Sequence, residues 1–420
     1  EKFKSSFAFY FTGESSKFFR INHSSLRQVT FVNQAELIIG QRESGVLSEY
    51  TIQLSGDLKS DIERVFQILP ESDRGHILVN RNVDVDDYVE NKDVKLPRES
   101  SKIEFNFLSQ FPKEEEIVGL VTDGELYSGV QKGGEFSLSW FVTRRTDVDY
   151  SIFDKDICVS DFYTAKNLSE ANISKSITIN QKKLERLRKI KKDLMPGKYK
   201  AYFSSSAVNE MLGMFNWYGV QAKAFAEKKS VFMDLFHDKK KLSEKFTLIE
   251  NFDLQLAPFF NQNGEVSKSL VEIIKNGSLV SPLVNSMSER KYGFKGNGAN
   301  SSETLRSCEI MCGDLSEEET LKSMRSGIFI SNLHYLNWSN KKNASITGMT
   351  RYGCYYVDDN GDQMPIKDMR FNMSLYDVFG DWLIGLSNES QVFCNSNSYH
   401  SRGVGGAKVP GMLSEINLTL

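Results

Sequence analysis

At 420 residues, with 40% hydrophobic and 25% charged residues, the chain has a globular composition and length enough for two or three units with their own cores. A formal net charge of -3 excludes an overall basic field, and the Lys-rich runs 181–192 and 237–245 also carry acids or helix-spaced apolar residues, so nucleic acid is not the expected partner. The longest mainly apolar stretch, 211–220, is well short of the roughly 20 residues of a membrane helix, so no membrane span is expected either.

In chain order, residues 7–11, 28–32, 37–40 and 49–54 cluster β-formers between polar and Gly-containing turns, which predicts an antiparallel meander. Residues 57–69 then place Leu58, Ile62, Val65, Phe66 and Leu69 at helical spacing, so a helix should pack across that sheet. Residues 73–101 are acidic and weakly periodic, as a linker or surface excursion would be, and a soft boundary belongs there. Strands return over 115–160, most clearly at 119–127 and 136–143. Residues 179–193 read as a basic amphipathic helix, ended by Met195-Pro196-Gly197.

Beyond Pro196, residues 198–204 read as a strand. Cap-type serines then precede an apolar helix through Tyr218. After Phe246 the text is short strands and turns, with no fixed-period repeat. The expected class is α+β: an N-terminal antiparallel sheet with packed helices (residues 1–75), a linker and second α+β segment (76–195), and a large, mostly β C-terminal domain (196–420). Five cysteines, at 158, 308, 312, 354 and 394, form an odd, scattered set that reads as reduced thiols rather than a disulfide framework. With an opening segment that resembles no signal peptide, the cytoplasm is the expected compartment.

Four segments, in order, carry a family likeness. The first is Pro196-Gly197-Lys198-Tyr199-Lys200 leading into Ser206-Ala207-Val208-Asn209-Glu210-Met211-Leu212-Gly213. The second holds Asn263-Gly264-Glu265 and Lys275-Asn276-Gly277. The third runs from Gly327-Ile328-Phe329-Ile330 to Thr347-Gly348-Met349-Thr350-Arg351-Tyr352-Gly353, and the fourth is Pro365-Ile366-Lys367-Asp368-Met369-Arg370-Phe371-Asn372. Their order and spacing resemble the TldD/PmbA (TldE) family, historically called modulators of DNA gyrase. Arg20-Ile21-Asn22 and Ser44-Gly45 also fit that family's first domain.

The resemblance implies a cytoplasmic dimer in which a TldD subunit carries zinc on a His-Glu-x-x-x-His helix and a TldE subunit does not. Such a pair cleaves unfolded peptides held as an added strand in an internal cleft, where main-chain hydrogen bonds secure any extended peptide. On this chain the hexad falls on Asn209-Glu210-Met211-Leu212-Gly213-Met214. The glutamate and glycine survive, but both histidine positions are filled by a carboxamide and a thioether, which are weak zinc ligands. The chain is therefore closer to the TldE type, with no metal or cofactor of its own and zinc in a family partner.

Glu210 reads either as an ordinary glutamate of an amphipathic helix or as a polar group retained in the cleft. A five-residue spacing puts the hexad's ends about 140° apart on a regular helix, so Gly213 is either a point of distortion or a packing glycine. The resemblance puts Cys394 about where the family's metal-binding subunit has a cysteine ligand; as a lone thiol it also reads as a small buried side chain. His334 lies near the family's cleft-forming strand or is a hydrogen-bonded strand histidine. Arg351 can clamp a carboxylate or a main-chain carbonyl, or form a structural salt bridge.

His334, Arg351 and Cys394 are thus the peptide-cleft candidates. Cys308 and Cys312, at i,i+4, lack a second pair to complete a metal site, and the histidines 23, 76, 237, 334 and 400 make no ligand pattern. Three functions follow: a TldE-like subunit paired with a TldD-like partner, a stand-alone homodimeric peptide-binding scaffold, and a hydrolase using Glu210 with Cys394 and His334 or His400.

Overall fold

The computed structural model describes residues 5–43, 46–68, 115–132, 137–155, 157–166, 170–395 and 401–419. The expected linker at 73–101, and His76 and His400, lie outside the described residues.

The first sheet has six strands: β1 (Ser5–Asn22), β2 (Ser25–Glu43), β3 (Val46–Leu54), β4 (Glu116–Lys132), β5 (Ser137–Asp154) and β6 (Ile157–Ala165). They lie in the order β3-β2-β1-β4-β5-β6 with antiparallel neighbours throughout. Strands on both sides of the expected boundary therefore belong to one sheet, because β1 pairs with β4 from Ala8↔Lys132 to Ile21↔Gly119. The stretches 28–32 and 37–40 are also one strand rather than two. The polar segment between them, expected as a turn, pairs in register with β1 (Ser15↔Asn33, Glu14↔Gln34, Gly13↔Ala35).

Two helices cover this sheet. In α1 (Leu58–Ile68), Asp57 Oδ1 accepts from the Ser60 amide at 2.7 Å, capping the first turn. Val65 and Ile68 pack against Ile39 and Ile52, whereas Leu58, expected to pack, is 75% exposed. Helix α2 (Glu170–Leu187) starts and ends earlier than the basic periodicity predicts. Its buried face is Ile173, Ile177, Leu184 and Leu187, which cover Ile117, Val121, Val148, Tyr150, Ile152 and Val159. The i,i+4 apolar pair near its start, not the lysines near its end, sets its position.

The C-terminal region opens with β7 (Gly197–Phe203) and α3 (Ser205–Gly213), then α4 (Ala222–Ala226) and α5 (Met233–Phe236). Strands β8 (Leu248–Asn251), β9 (Leu270–Lys275) and β10 (Ser278–Leu279) precede α6 (Ser286–Tyr292). Next come β11 (Ser307–Ile310), α7 (Glu317–Ser323), β12 (Gly327–Ile330), β13 (Asn332–Asn340) and β14 (Ser345–Arg351). The series closes with β15 (Tyr355–Val357), β16 (Gln363–Pro365), β17 (Arg370–Ser374), β18 (Gly385–Cys394) and β19 (Gly406–Thr419).

The main path is β10-β9-β8-β11-β19-β7-β12-β15-β16, and β14 and β17 tie β13 to β19. Strand β19 is the spine, paired with β7, β11, β17 and β18. The fold is α+β, as expected: an antiparallel N-terminal sheet and a large, mostly β C-terminal region. Among the described residues no helix is long and apolar enough to cross a membrane.

A buried charge cluster joins the two regions. The Arg402 side chain has 0% exposure and lies 3.5 Å from both Glu14 and Asp147. It donates to Ser16 Oγ at 2.6 Å and to the Arg145 carbonyl at 2.9 Å. Arg145 pairs with Asp147 at 2.9 Å and donates to the carbonyls of Asn395 and Gly403. Alternation along β1 turns Glu14 and Ser16 toward this cluster and leaves Ser15 exposed.

Candidate functional site

Helix α3 begins where β7 ends. Ser204 caps it, its side chain accepting from the Ala207 amide at 3.2 Å, and Ser204 Oγ donates to the Ser331 carbonyl. Ala207, Val208, Met211 and Leu212 face the core, which leaves Ser206, Asn209, Glu210 and Gly213 outward. The helix stops short of the expected Tyr218: one 3-10 turn follows (Met214–Asn216), and Tyr218 adopts φ 66°. Gly219 closes the end, because a Cβ there would meet the Phe215 carbonyl at 2.4 Å.

Within the hexad the residues divide. Met214 is 5% exposed and belongs to the main core, while Asn209 is half-buried on the outward face. Gly213 is plainly helical (φ -53°, ψ -31°), and a Cβ on it would meet nothing, so it is no point of distortion. Glu210 is exposed, yet desolvation by the surrounding protein holds its carboxyl above the usual range.

Strand β13 runs beside α3. Asn332, its first residue, donates to Ser206 Oγ at 2.8 Å, and Trp338 Nε1 donates to the Trp217 carbonyl at 3.1 Å. Glu210, at i+4 from Ser206, lies on the same helix face about 6 Å farther along β13. Among the described residues β13 has β14 as its one strand partner, so its outer edge has no strand beside it. The register pairs Asn332 with Arg351 and His334 with Met349, which sets these four on one face, while Leu333 and Thr350 point to the core.

That polar face meets the first sheet. Burial and then Arg351 hold the His334 pKa down, so its imidazole is neutral near pH 7. Burial drives the Cys158 thiol on β6 up to about 12, with Arg351 close enough to oppose it. Burial also raises Tyr352, against which Arg351 works, with Cys158, Asp149 and Asp368 nearby. Desolvation lifts Asp149 and Asp368 above the usual carboxylate range; Asp161 adds to the first, and Lys191 and Arg351 oppose the second. Except for Val159, every residue of β6 is half-buried.

The structure thus brings His334 and Arg351 together beside the helix that bears Glu210. Cys394 lies elsewhere: it accepts a 3.6 Å hydrogen bond from Thr164, at the far end of β6. Six residues separate Thr164 from Cys158, about 20 Å along a strand, so the Cys394 thiol is far from the His334 imidazole. Burial also raises the Cys394 thiol, which disfavours a thiolate nucleophile. Cys308 is buried and its pKa pushed up, whereas Cys312 is exposed. Among the described residues, no three His, Cys, Asp or Glu side chains converge as a metal would require.

Sequence reasoning passed over Cys158, Asp149 and Asp368. A thiol or carboxylate in an alternating strand carries no local mark of what the facing sheet will bring. The one available signal was Asp368, inside the fourth family segment.

Comparison with known proteins bears on the family and the fold. Residues 196–416 match a family model described as the PmbA/TldA metallopeptidase C-terminal domain. A structure described as a putative modulator of a DNA gyrase from Thermotoga maritima superimposes with a TM-score of 0.72 at 15% identity, covering 99% of this chain and 96% of that one. TldE from Thermococcus kodakarensis gives 0.71 at 12% identity, covering 98% and 96%. A putative modulator of DNA gyrase from Bacteroides thetaiotaomicron gives 0.66 at 14%, covering 99% and 94%. No curated protein sequence matches.

Proposed function

Since the chain belongs to the PmbA/TldD metallopeptidase family, we propose that it works as a TldE-type subunit. It shapes a cleft for unfolded peptides and leaves hydrolysis to a zinc-bearing, TldD-like partner. The observation that carries this reading is the position of Met214: at 5% exposure its thioether is part of the core. Zinc takes imidazole, thiolate or carboxylate donors around an open coordination position. A core thioether and the neutral Asn209 amide do not fit that demand, so no step of the reaction runs through a metal on this helix.

What this chain contributes is shape and polarity. Glu210, Asp149 and Asp368 line the groove with carboxylates, and Arg351 and His334 stand opposite them. The outer edge of β13 offers main-chain donors and acceptors to an extended chain. The gyrase in the relatives' descriptions plays no part in this reading.

Metal analysis of the purified chain, with peptide cleavage assayed alone and beside a relative bearing both histidines, tests the proposal. The expected result is no stoichiometric zinc, no cleavage alone, and cleavage with the partner. Stoichiometric zinc together with cleavage by the chain alone would overturn it.

A further inference from the structure

Arg351 is held in place and, among the described residues, ends on no carboxylate. Among the described residues its guanidinium forms no ion pair and no hydrogen bond; its contact is the Tyr352 ring, 4.6 Å from the centroid. Stacking on an aromatic face leaves the edge of a guanidinium, with its donors, free for a planar acceptor. Several half-buried or buried arginines here end on carboxylates, Arg144 on Asp123, Arg306 on Glu250 and Arg402 on Glu14 and Asp147, whereas Arg186, like Arg351, lies over a tyrosine ring, that of Tyr355.

The backbone under Arg351 is fixed from behind. The buried Cys354 thiol donates to the Arg351 carbonyl at 3.3 Å and accepts from the Ser331 amide at 3.4 Å. The Cys354 amide donates to the Tyr352 carbonyl at 2.9 Å, and Tyr352 itself is held at φ 63°. A non-glycine residue in that conformation persists where its surroundings over-determine it. The result is a preorganised cation whose side chain loses little freedom on binding.

Its surroundings define what it can take. Asp368 feels Arg351 and Asp149 lies by Tyr352, but neither forms an ion pair with the guanidinium. With Glu210 also on the groove, carboxylates make up much of the lining, and Arg351 and Lys191 are the cations that act on it.

We propose that Arg351 is the carboxylate anchor of the groove, taking a carboxylate of the bound peptide, whether terminal or on a Glu or Asp side chain. This deepens the peptide-cleft reading and rests on it. A charge-assisted, bidentate contact of this kind sets where an extended peptide stops or registers. The rest of the groove then reads main chain with little side-chain preference.

The test is fluorescence anisotropy of the full chain with a labelled peptide of about ten residues built from Ser, Thr and Val, long enough to lie along β13. Three forms are compared: a free C-terminus, a C-terminal amide, and the amide with one internal Glu. A carboxylate-bearing form should bind about tenfold tighter than the neutral amide, and the form that gains identifies the source. Arg351→Met should abolish the gain, so that all three forms bind the variant alike. Arg351→Lys should keep part of it, because the charge remains without the planar fork. Binding of the neutral peptide with no gain from either carboxylate, or a gain that survives Arg351→Met, overturns the anchor and leaves the peptide cleft standing. Failure of all three forms to bind removes both.

Discussion

Replacing Arg402 by Met would show how far the two regions depend on one buried cation. Arg402 has no exposed side-chain surface and serves Glu14 and Asp147, whose side chains are 4% and 1% exposed. Removing one partner of a buried ion pair costs about 3–5 kcal/mol, mostly because the other charge is stranded. Here Asp147 keeps Arg145 at 2.9 Å, and Glu14 keeps the residue-402 backbone amide at 3.0 Å. The loss should therefore fall at the lower end, about 3 kcal/mol. Urea unfolding at pH 7, followed by tryptophan fluorescence and circular dichroism, reads it. Adding Glu14→Gln should recover about 1 kcal/mol or more, because the stranded charge is then gone. A loss under about 1 kcal/mol, or no recovery in the double variant, would refute the view that Arg402 neutralises Glu14.

Gly124→Ala should cost about 3 kcal/mol or more, since its Cβ would come 2.1 Å from the Ser15 carbonyl at φ 154°, and thermal melts would show it. By contrast Gly213→Ala should gain about 0.5–1 kcal/mol in the same assay; a loss would mean that α3 must bend there. Installing Asn209→His with Met214→His should destabilise the chain by about 2 kcal/mol or more and yield no stoichiometric zinc by elemental analysis, because position 214 faces the core. Glu210→Gln should raise the melting temperature near pH 7. The wild-type carboxyl titrates above its ordinary 4.5 when folded, so its contribution is full below about 4.5 and is lost as pH rises through the raised value. The gap between variant and wild type should close on acidification, and a constant gap would refute the assignment.

Several features were legible in the sequence because their causes are local. The strand into α3 and an apolar helix after it follow from spacing and capping chemistry, although the cap is Ser204, the last residue of the expected strand, and the serines after it lie inside the helix. The polar stretch around Gln34 reads as a turn because nothing nearby rewards burying it. Its partner Glu14 is buried by a cation 388 residues away, which no window of sequence displays. His334 and Arg351 could be singled out by residue type and family segment. The wall opposite them, Cys158 and Asp149, depends on how two sheets meet, as does the removal of Cys394 to the far end of β6.

The central place of β19 also bears on how the protein is made. Every other strand of the large sheet emerges from the ribosome before residues 406–419, yet β7, β11, β17 and β18 all hydrogen-bond to that segment. Until it arrives, the edges of four strands wait unsatisfied, a state prone to mispairing. Assembly of this region therefore waits for residues 406–419, and chaperone demand should peak as that segment emerges.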